Sequence, residues 1–262
     1  MRLLRCPCCA YAPADAAGGS AKKKSAGPVA RETLEDLAAA SRICADQGVF
    51  DAFGHLSMRH PDSPERFLMA RSIAPARVTA DDIMEYDLDA DPIDPQGRGS
   101  FLERFIHGEI YKARPDVMSV VHSHSPSVVP FSVAPNAMKA MYHNAAFIAE
   151  GVPVFDIREK FGPTDMLVGD HEKGRELAKV LGSKPIALMR AHGSVAVGPS
   201  LKHAVFRAVF TEVNAKLQIQ ATILAGGKPL AALDEAEGKL ADAVNLGVVA
   251  RPWDLWRERV AK

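Results

Sequence analysis

A single layered α/β domain is the fold class this sequence predicts. Strand-like and helix-like segments are mixed without regular βαβ spacing, no internal repeat of roughly 20 to 50 residues is visible, and 47% of the 262 residues are apolar. A chain of this length and composition can bury one substantial core. Lys plus Arg equals Asp plus Glu at 32 each, so no whole-chain field draws in nucleic acid. No apolar run approaches the ~20 residues a spanning helix needs. The opening Met1-Arg2-Leu3-Leu4-Arg5 lacks the apolar stretch of an export signal, so no membrane association and a cytoplasmic location are expected. Cys6, Cys8 and Cys9 crowd one end and Cys44 stands alone, a poor disulfide framework. A zinc site at Cys6, Cys8 and Cys9 would lack a fourth ligand at finger-like spacing. Residues 1–28, with Gly18-Gly19-Ser20 and Lys22-Lys23-Lys24, read as a mobile arm, and residues 29–262 as the folded domain.

In chain order, Leu34, Leu37, Ala38, Ser41, Ile43 and Cys44 recur at helical spacing between residues 32 and 47, with Gly48 as the stop. Residues 54–59 and 66–70 read as a hairpin about the Pro61-Asp62-Ser63-Pro64 turn. Thr79-Ala80-Asp81-Asp82-Ile83 reads as one capped turn. A strand over 84–88 follows, then a Pro/Gly/Asp-rich stretch over 91–99. Phe105, Ile106, Ile110 and Tyr111 share a face of a helix over 102–114, which Pro115 ends. Val117 to His122 is a β-branched run suited to a buried strand, and Pro126 opens another element. A helix over 172–181 capped by Gly182, a strand over 185–190 and a long helix over 201–225 ending at Gly226-Gly227 complete the pattern.

Chemistry concentrates at the end of the 117–122 strand. The two-residue period points His122 and His124 to one side, prearranging two imidazole ligands. A third nitrogen is required for a site that keeps a position open for substrate, and His192, at the end of another apolar strand and followed by Gly193, is the best candidate. By itself a His-x-His pair is common, and the second strand-end His-Gly strengthens it. Glu103 lies one helical turn before His107, so one of the two can reach the site while the other braces the helix. A first-turn Glu also serves its helix electrostatically. His60, His171 and His203 sit in turn-like or charged surroundings that suit solvated side chains, whereas His55 and His143 stay open.

Three stretches carry a resemblance: Phe101-Leu102-Glu103-Arg104-Phe105-Ile106-His107, Ile110-Tyr111-Lys112-Ala113-Arg114-Pro115-Asp116-Val117, and Val120-Val121-His122-Ser123-His124-Ser125-Pro126. With Ala191-His192-Gly193, Gly54-His55-Leu56-Ser57 and the 79–83 turn, the sequence over about residues 32–230 resembles the class II aldolase/adducin family. The resemblance implies a three-layer α/β/α fold with a central, mostly antiparallel sheet. It also implies one divalent ion on His122, His124 and His192, and Glu103 as metal neighbour and acid/base. A homotetramer with active sites at subunit boundaries is implied too, where Tyr142, His143, Trp253 or Trp256 would complete a neighbour's pocket. Ordinary packing is the alternative for both tryptophans.

Departures from the family's sugar-phosphate aldolases are informative. Where those enzymes cradle phosphate with an Asn, a Thr-Gly pair and two serines, this chain has His55, Arg71-Ser72 and Phe101-Leu102. An Arg suits a planar carboxylate and apolar surface suits a ring. Phe101 to Val133 and Thr211-Glu212-Val213-Asn214 look similar to the branch that decarboxylates ortho-hydroxylated aromatic or pyridine carboxylic acids. That branch implies a small carboxylic acid substrate, a role in aromatic catabolism, zinc or manganese as the ion, Arg71 as the acid clamp, Tyr142 near the ring, and protonation by Glu103 or His143. Rival readings are an aldolase for a small non-phosphorylated hydroxy-carbonyl compound, a silent adducin-like interaction module, and a sugar-phosphate epimerase, which the missing cradle disfavours.

Overall fold

The structure is a computed structural model and describes residues 23–261. Cys6, Cys8 and Cys9 therefore lie outside the described residues. One eight-stranded sheet organises them, in the order β4-β3-β2-β1-β5-β8-β7-β6. Its strands are β1 (His55–His60), β2 (Ser63–Ala70), β3 (Ile83–Asp87), β4 (Pro92–Ile93), β5 (Ser119–Ser123), β6 (Val154–Phe155), β7 (Ile186–Met189) and β8 (Gly193–Gly198). Every pairing is antiparallel except that of β6 with β7. The mostly antiparallel sheet expected from the family resemblance is thus observed. The short β4 falls inside the stretch read as irregular.

Helices cover both faces: α1 (Arg31–Asp46), α2 (Arg104–Ala113), α3 (Arg158–Phe161), α4 (His171–Leu181), α5 (Leu201–Ala225), α6 (Glu235–Leu246) and α7 (Ala250–Arg259). The two-residue strand period divides the apolar side chains between two cores. Leu56, Leu68, Val121, Ile186, Leu188 and Ala196 pack with α1, α5 and α7. Phe67, Met69, Val120, Ala187, Val195 and Val197 pack with α2 and α4. Both faces of β5 are buried along its whole length, which is why its sequence is a continuous apolar run with no alternation.

Several local expectations are met by the chemistry that generated them. Gly48 leaves α1 at a φ of +72°. Thr79 and Asp82 close a reciprocal capping box on the turn over Ala80–Asp82. Others are corrected. His60 is buried, because β1 continues through it and turns the ring inward; its Nδ1 accepts from the Asp62 amide. His171 is half-exposed yet bonded to buried Glu109 at 2.7 Å, and His203 bonds Ser200 and the Leu246 carbonyl. Trp253 and Trp256 are buried in this chain's own core, with Trp256 against Phe210, so neither reaches out to a neighbour. Residues 23–28 run beside the sheet, where Lys23 pairs with Asp87 and the Ser25 hydroxyl donates to Glu85. Among the described residues no helix is long and apolar enough to cross a membrane.

A tight backbone approach lies between β5 and β8. A Cβ on Gly193 would stand 2.0 Å from the Ser123 carbonyl oxygen, so only glycine lets β8 begin there. Gly193→Ala is expected to cost about 2–3 kcal/mol and lower Tm by roughly 5–10 °C, read by thermal denaturation beside the unaltered chain.

Candidate metal centre and active-site cavity

The β5/β8 ladder ends where the histidines begin. His122 is the fourth residue of β5 and pairs with Val195, while His124 follows the strand directly. His192 stands just before β8, on the turn that joins it to β7. The three rings form a near-equilateral triangle, with centroid separations of 5.1, 5.1 and 5.0 Å. Glu103 closes the fourth side. It occupies the position before α2 instead of the first turn and makes no capping hydrogen bond. Its Oε2 lies 3.4 Å from both His122 Nε2 and His192 Nε2. One ligand atom from each of the four residues falls within 4.8 Å of the others.

Backbone groups fix how the ligands present themselves. His122 Nδ1 donates to the Ser194 carbonyl at 3.1 Å and His192 Nδ1 to the Met166 carbonyl at 2.9 Å. Each neutral ring therefore has its lone pair on Nε2, facing the cluster. Glu103 Oε1 accepts from the Val168 amide at 2.9 Å, which leaves Oε2 for the histidines. Met166 and Ala191 both hold left-handed backbone, at φ of +72° and +53°, strain worth about 1–3 kcal/mol each. The strain is local to the two residues that aim His192. Asp165 Oδ1 accepts from the Leu167 amide and steadies the same turn.

The cluster fits a divalent cation. His122 Nε2 is buried with no hydrogen-bond partner, and His192 Nε2 lies 3.1 Å from His124 Nε2. Three imidazoles and one carboxylate suit a divalent ion and leave room for substrate. Burial, reinforced by His122 and His192, brings His124 down to about 4. For His192, burial is outweighed by Glu103 and the Met166 carbonyl, so its pKa rises. For Glu103, burial is outweighed by His122 and His192, which hold its carboxyl well below the usual range.

A cavity of about 590 Å³ opens beside the cluster, lined by Phe53, His55, Ser72, Arg77, Phe101 and Leu102 among others, and by Glu103, His124 and His192. Five of the substrate-side expectations divide cleanly. His55, Ser72, Phe101 and Leu102 reach the cavity. Arg71 does not, because its Nε is 2.6 Å from Asp82, the residue that closes the capping box. Arg77, from the turn over Pro75–Arg77, is the arginine that lines the cavity. Sequence reading passed over it, since nothing in its spacing separates it from a surface cation. Tyr142 and His143 stand beside α5, away from this chain's cavity: Tyr142 faces Phe210, and His143 is exposed. His107 leaves the metal to Glu103 and braces β1 from α2.

The model of the class II aldolase and adducin N-terminal domain matches residues 35–219. The chain belongs to the class II aldolase and adducin family. Within that family it is 34% identical over 233 residues to the decarboxylase tropJ of Talaromyces stipitatus, covering 81% of this chain and 88% of the relative. It is 30% identical over 243 residues to a 3,4-dihydroxyphthalate decarboxylase of Arthrobacter keyseri, covering 87% and 92%. An aldolase II superfamily protein from Pseudomonas syringae shares the fold, with a TM-score of 0.76 at 24% identity over 89% of this chain and 94% of that one.

If the four residues hold one ion, metal analysis of the purified chain should find one divalent ion per chain. His122→Ala should lower its affinity at least ~100-fold, read by competition with a chromogenic chelator.

Proposed function

We propose that this family member is a metal-dependent decarboxylase acting on an ortho-hydroxylated aromatic or pyridine carboxylic acid, with zinc or manganese held by His122, His124, His192 and Glu103. The observation that carries this reading is the cavity itself. It joins the ligand cluster to an apolar wall of Phe53, Phe101 and Leu102 and to the Arg77 guanidinium. Relatives of similar length that are named decarboxylases support the same class. A flat ring suits the apolar wall, and a carboxylate suits an arginine that has no carboxylate partner among the described residues.

When bound, the ion would supply positive charge to the oxygen beside the bond that breaks, the electrostatic role of a Lewis acid. The protein's own groups do the rest. Phe101 and Leu102 exclude water from the ring, and Arg77 orients an acid group at the mouth of the cavity. Glu103, an ionised carboxylate held by the Val168 amide, takes the proton of the ring hydroxyl. As carbon dioxide leaves with its bonding electrons remaining on the ring carbon, Glu103 returns that proton to the carbon. His143 is the weaker candidate for this step, being exposed and outside the cavity of its own chain.

A homotetramer with sites at subunit boundaries and a cytoplasmic location belong to the same reading. Exposed Val133, Ile223 and Leu224 offer apolar surface that a second copy would cover. An aldolase for a small hydroxy-carbonyl compound would use the same ligands, but the aromatic wall favours a ring. A silent adducin-like module has no need of a buried ligand set.

Supplied with zinc or manganese and a panel of hydroxylated aromatic diacids, the protein should release carbon dioxide; release of an aldehyde from hydroxy-carbonyl compounds instead would point to the aldolase. Glu103→Gln is expected to stay folded and keep its metal while kcat falls ~10²–10⁴-fold. Arg77→Met should raise KM ~10–100-fold with little change in kcat. Arg71→Met should leave KM unchanged and cost at most ~1 kcal/mol of stability.

A further inference from the structure

A second buried polar network adjoins the cavity and takes no part in the ligand cluster. His55 and Ser57 lie two residues apart on the face of β1 turned towards α2. There His55 Nδ1 is 2.7 Å from His107 Nε2, His107 Nδ1 is 2.7 Å from Ser57 Oγ, and Ser57 Oγ is 2.7 Å from the Tyr111 hydroxyl. All four side chains are buried. Only the His55 ring reaches the cavity, with Phe101 at a centroid distance of 4.6 Å.

The far end of this chain sets the direction of every hydrogen in it. The Tyr111 hydroxyl meets Ser57 Oγ, and that oxygen is the acceptor in reach of the phenol proton. Ser57 then gives its own hydrogen to His107 Nδ1, since accepting there as well would strand its buried hydroxyl hydrogen. The single proton of neutral His107 must then sit on Nε2 and point at His55 Nδ1. That leaves the hydrogen of His55 on Nε2, the ring edge away from His107. Reversing the chain would strand a buried phenol hydrogen with nothing to accept it. With Nδ1 of His107 and Nδ1 of His55 each accepting a hydrogen, both rings are neutral.

We propose that His55 is a fixed, uncharged N–H donor to an oxygen of the bound substrate, its tautomer imposed by Tyr111, Ser57 and His107 from outside the cavity. The assignment deepens the decarboxylase reading and rests on it for the class of ligand, a carboxylate or phenolate oxygen. The chain holds a donor and does not conduct protons, since conduction would end in a buried Tyr111 phenolate and burial pushes that phenol up. Because Nε2 cannot accept, this point of the cavity selects a lone pair and rejects a group that can only donate. His55 would touch the substrate; His107, Ser57 and Tyr111 are positioning residues.

Long-range proton–nitrogen NMR of the imidazole rings in the zinc-loaded full chain reads the tautomers without any turnover. His55 and His107 are each expected with the hydrogen on Nε2. A hydrogen on Nδ1 of His55, or protonation of that ring between about pH 6 and 8, overturns the proposal. Tyr111→Phe should mix the two tautomers of His107 and His55, and an unchanged pattern in that variant overturns the imposed direction. Binding is read by calorimetry with 3,4-dihydroxyphthalate and salicylate as probes. His55→Gln, whose amide can place an N–H near the Nε2 position, should bind within ~3-fold of the unaltered chain, and His55→Ala ~10–100-fold more weakly. Equal losses in the two variants, or no binding of either probe to the unaltered chain, overturn the donor role. A probe that binds with the expected pattern and releases no carbon dioxide would sink the decarboxylase reading and leave the His55 assignment standing.

Discussion

Three imidazole nitrogens and a carboxylate oxygen drawn within 4.8 Å of one another are the constraint on which the rest of the structure turns. Two Nε2 atoms lie 3.1 Å apart, and that of His192, committed by its Nδ1 donor to presenting a lone pair, can be met either by a hydrogen on His124 Nε2 or by a cation. Burial removes the water that would otherwise satisfy the remaining lone pairs, and His122 Nε2 is left with no partner. A divalent cation would take these lone pairs together, which gives the geometry a chemical reason.

The framework that enforces it is backbone more than side chain. The Ser194 and Met166 carbonyls and the Val168 amide orient three of the four ligands, and none of these can change rotamer. Behind His124 the buried polar face of α5 performs a similar service. Glu212 accepts from the Ser125 hydroxyl and the Ser127 amide, while Asn214 and Gln218 bond the backbone over residues 137–141. Polar groups on a buried helix face fix the path of irregular chain, which has no ladder of its own to satisfy its amides and carbonyls.

Around this constant centre the walls decide the chemistry. Retro-aldol cleavage and aromatic decarboxylation both leave electrons next to an oxygen that a cation can hold, so one ligand set serves either. What differs here is a cavity with Phe53, Phe101 and Leu102 on one side, Arg77 as its cation and His55 beneath. Aldolases and decarboxylases of one family can thus share a fold while replacing a few side chains that never touch the ion.

Much of this is legible in the sequence alone. The strand period at the end of β5 pointed His122 and His124 to one side, the His192-Gly193 pair marked the third imidazole of the cluster, and the departures at His55 and Phe101-Leu102 pointed away from a phosphate cradle. These features are local, set by strand period, turn chemistry and residue type, and a sequence carries them whole. The choice of Arg77 over Arg71 was beyond it, because it depends on Asp82 engaging one arginine across a turn. So were the burial of His60, the inward packing of Trp253 and Trp256, and the joining of His55 to Tyr111 through Ser57 and His107. Each of those rests on which groups from distant parts of the chain meet in the fold. Pairing partners and water exclusion are properties of the packed chain, and they decided which of the residues visible in the sequence face the cavity.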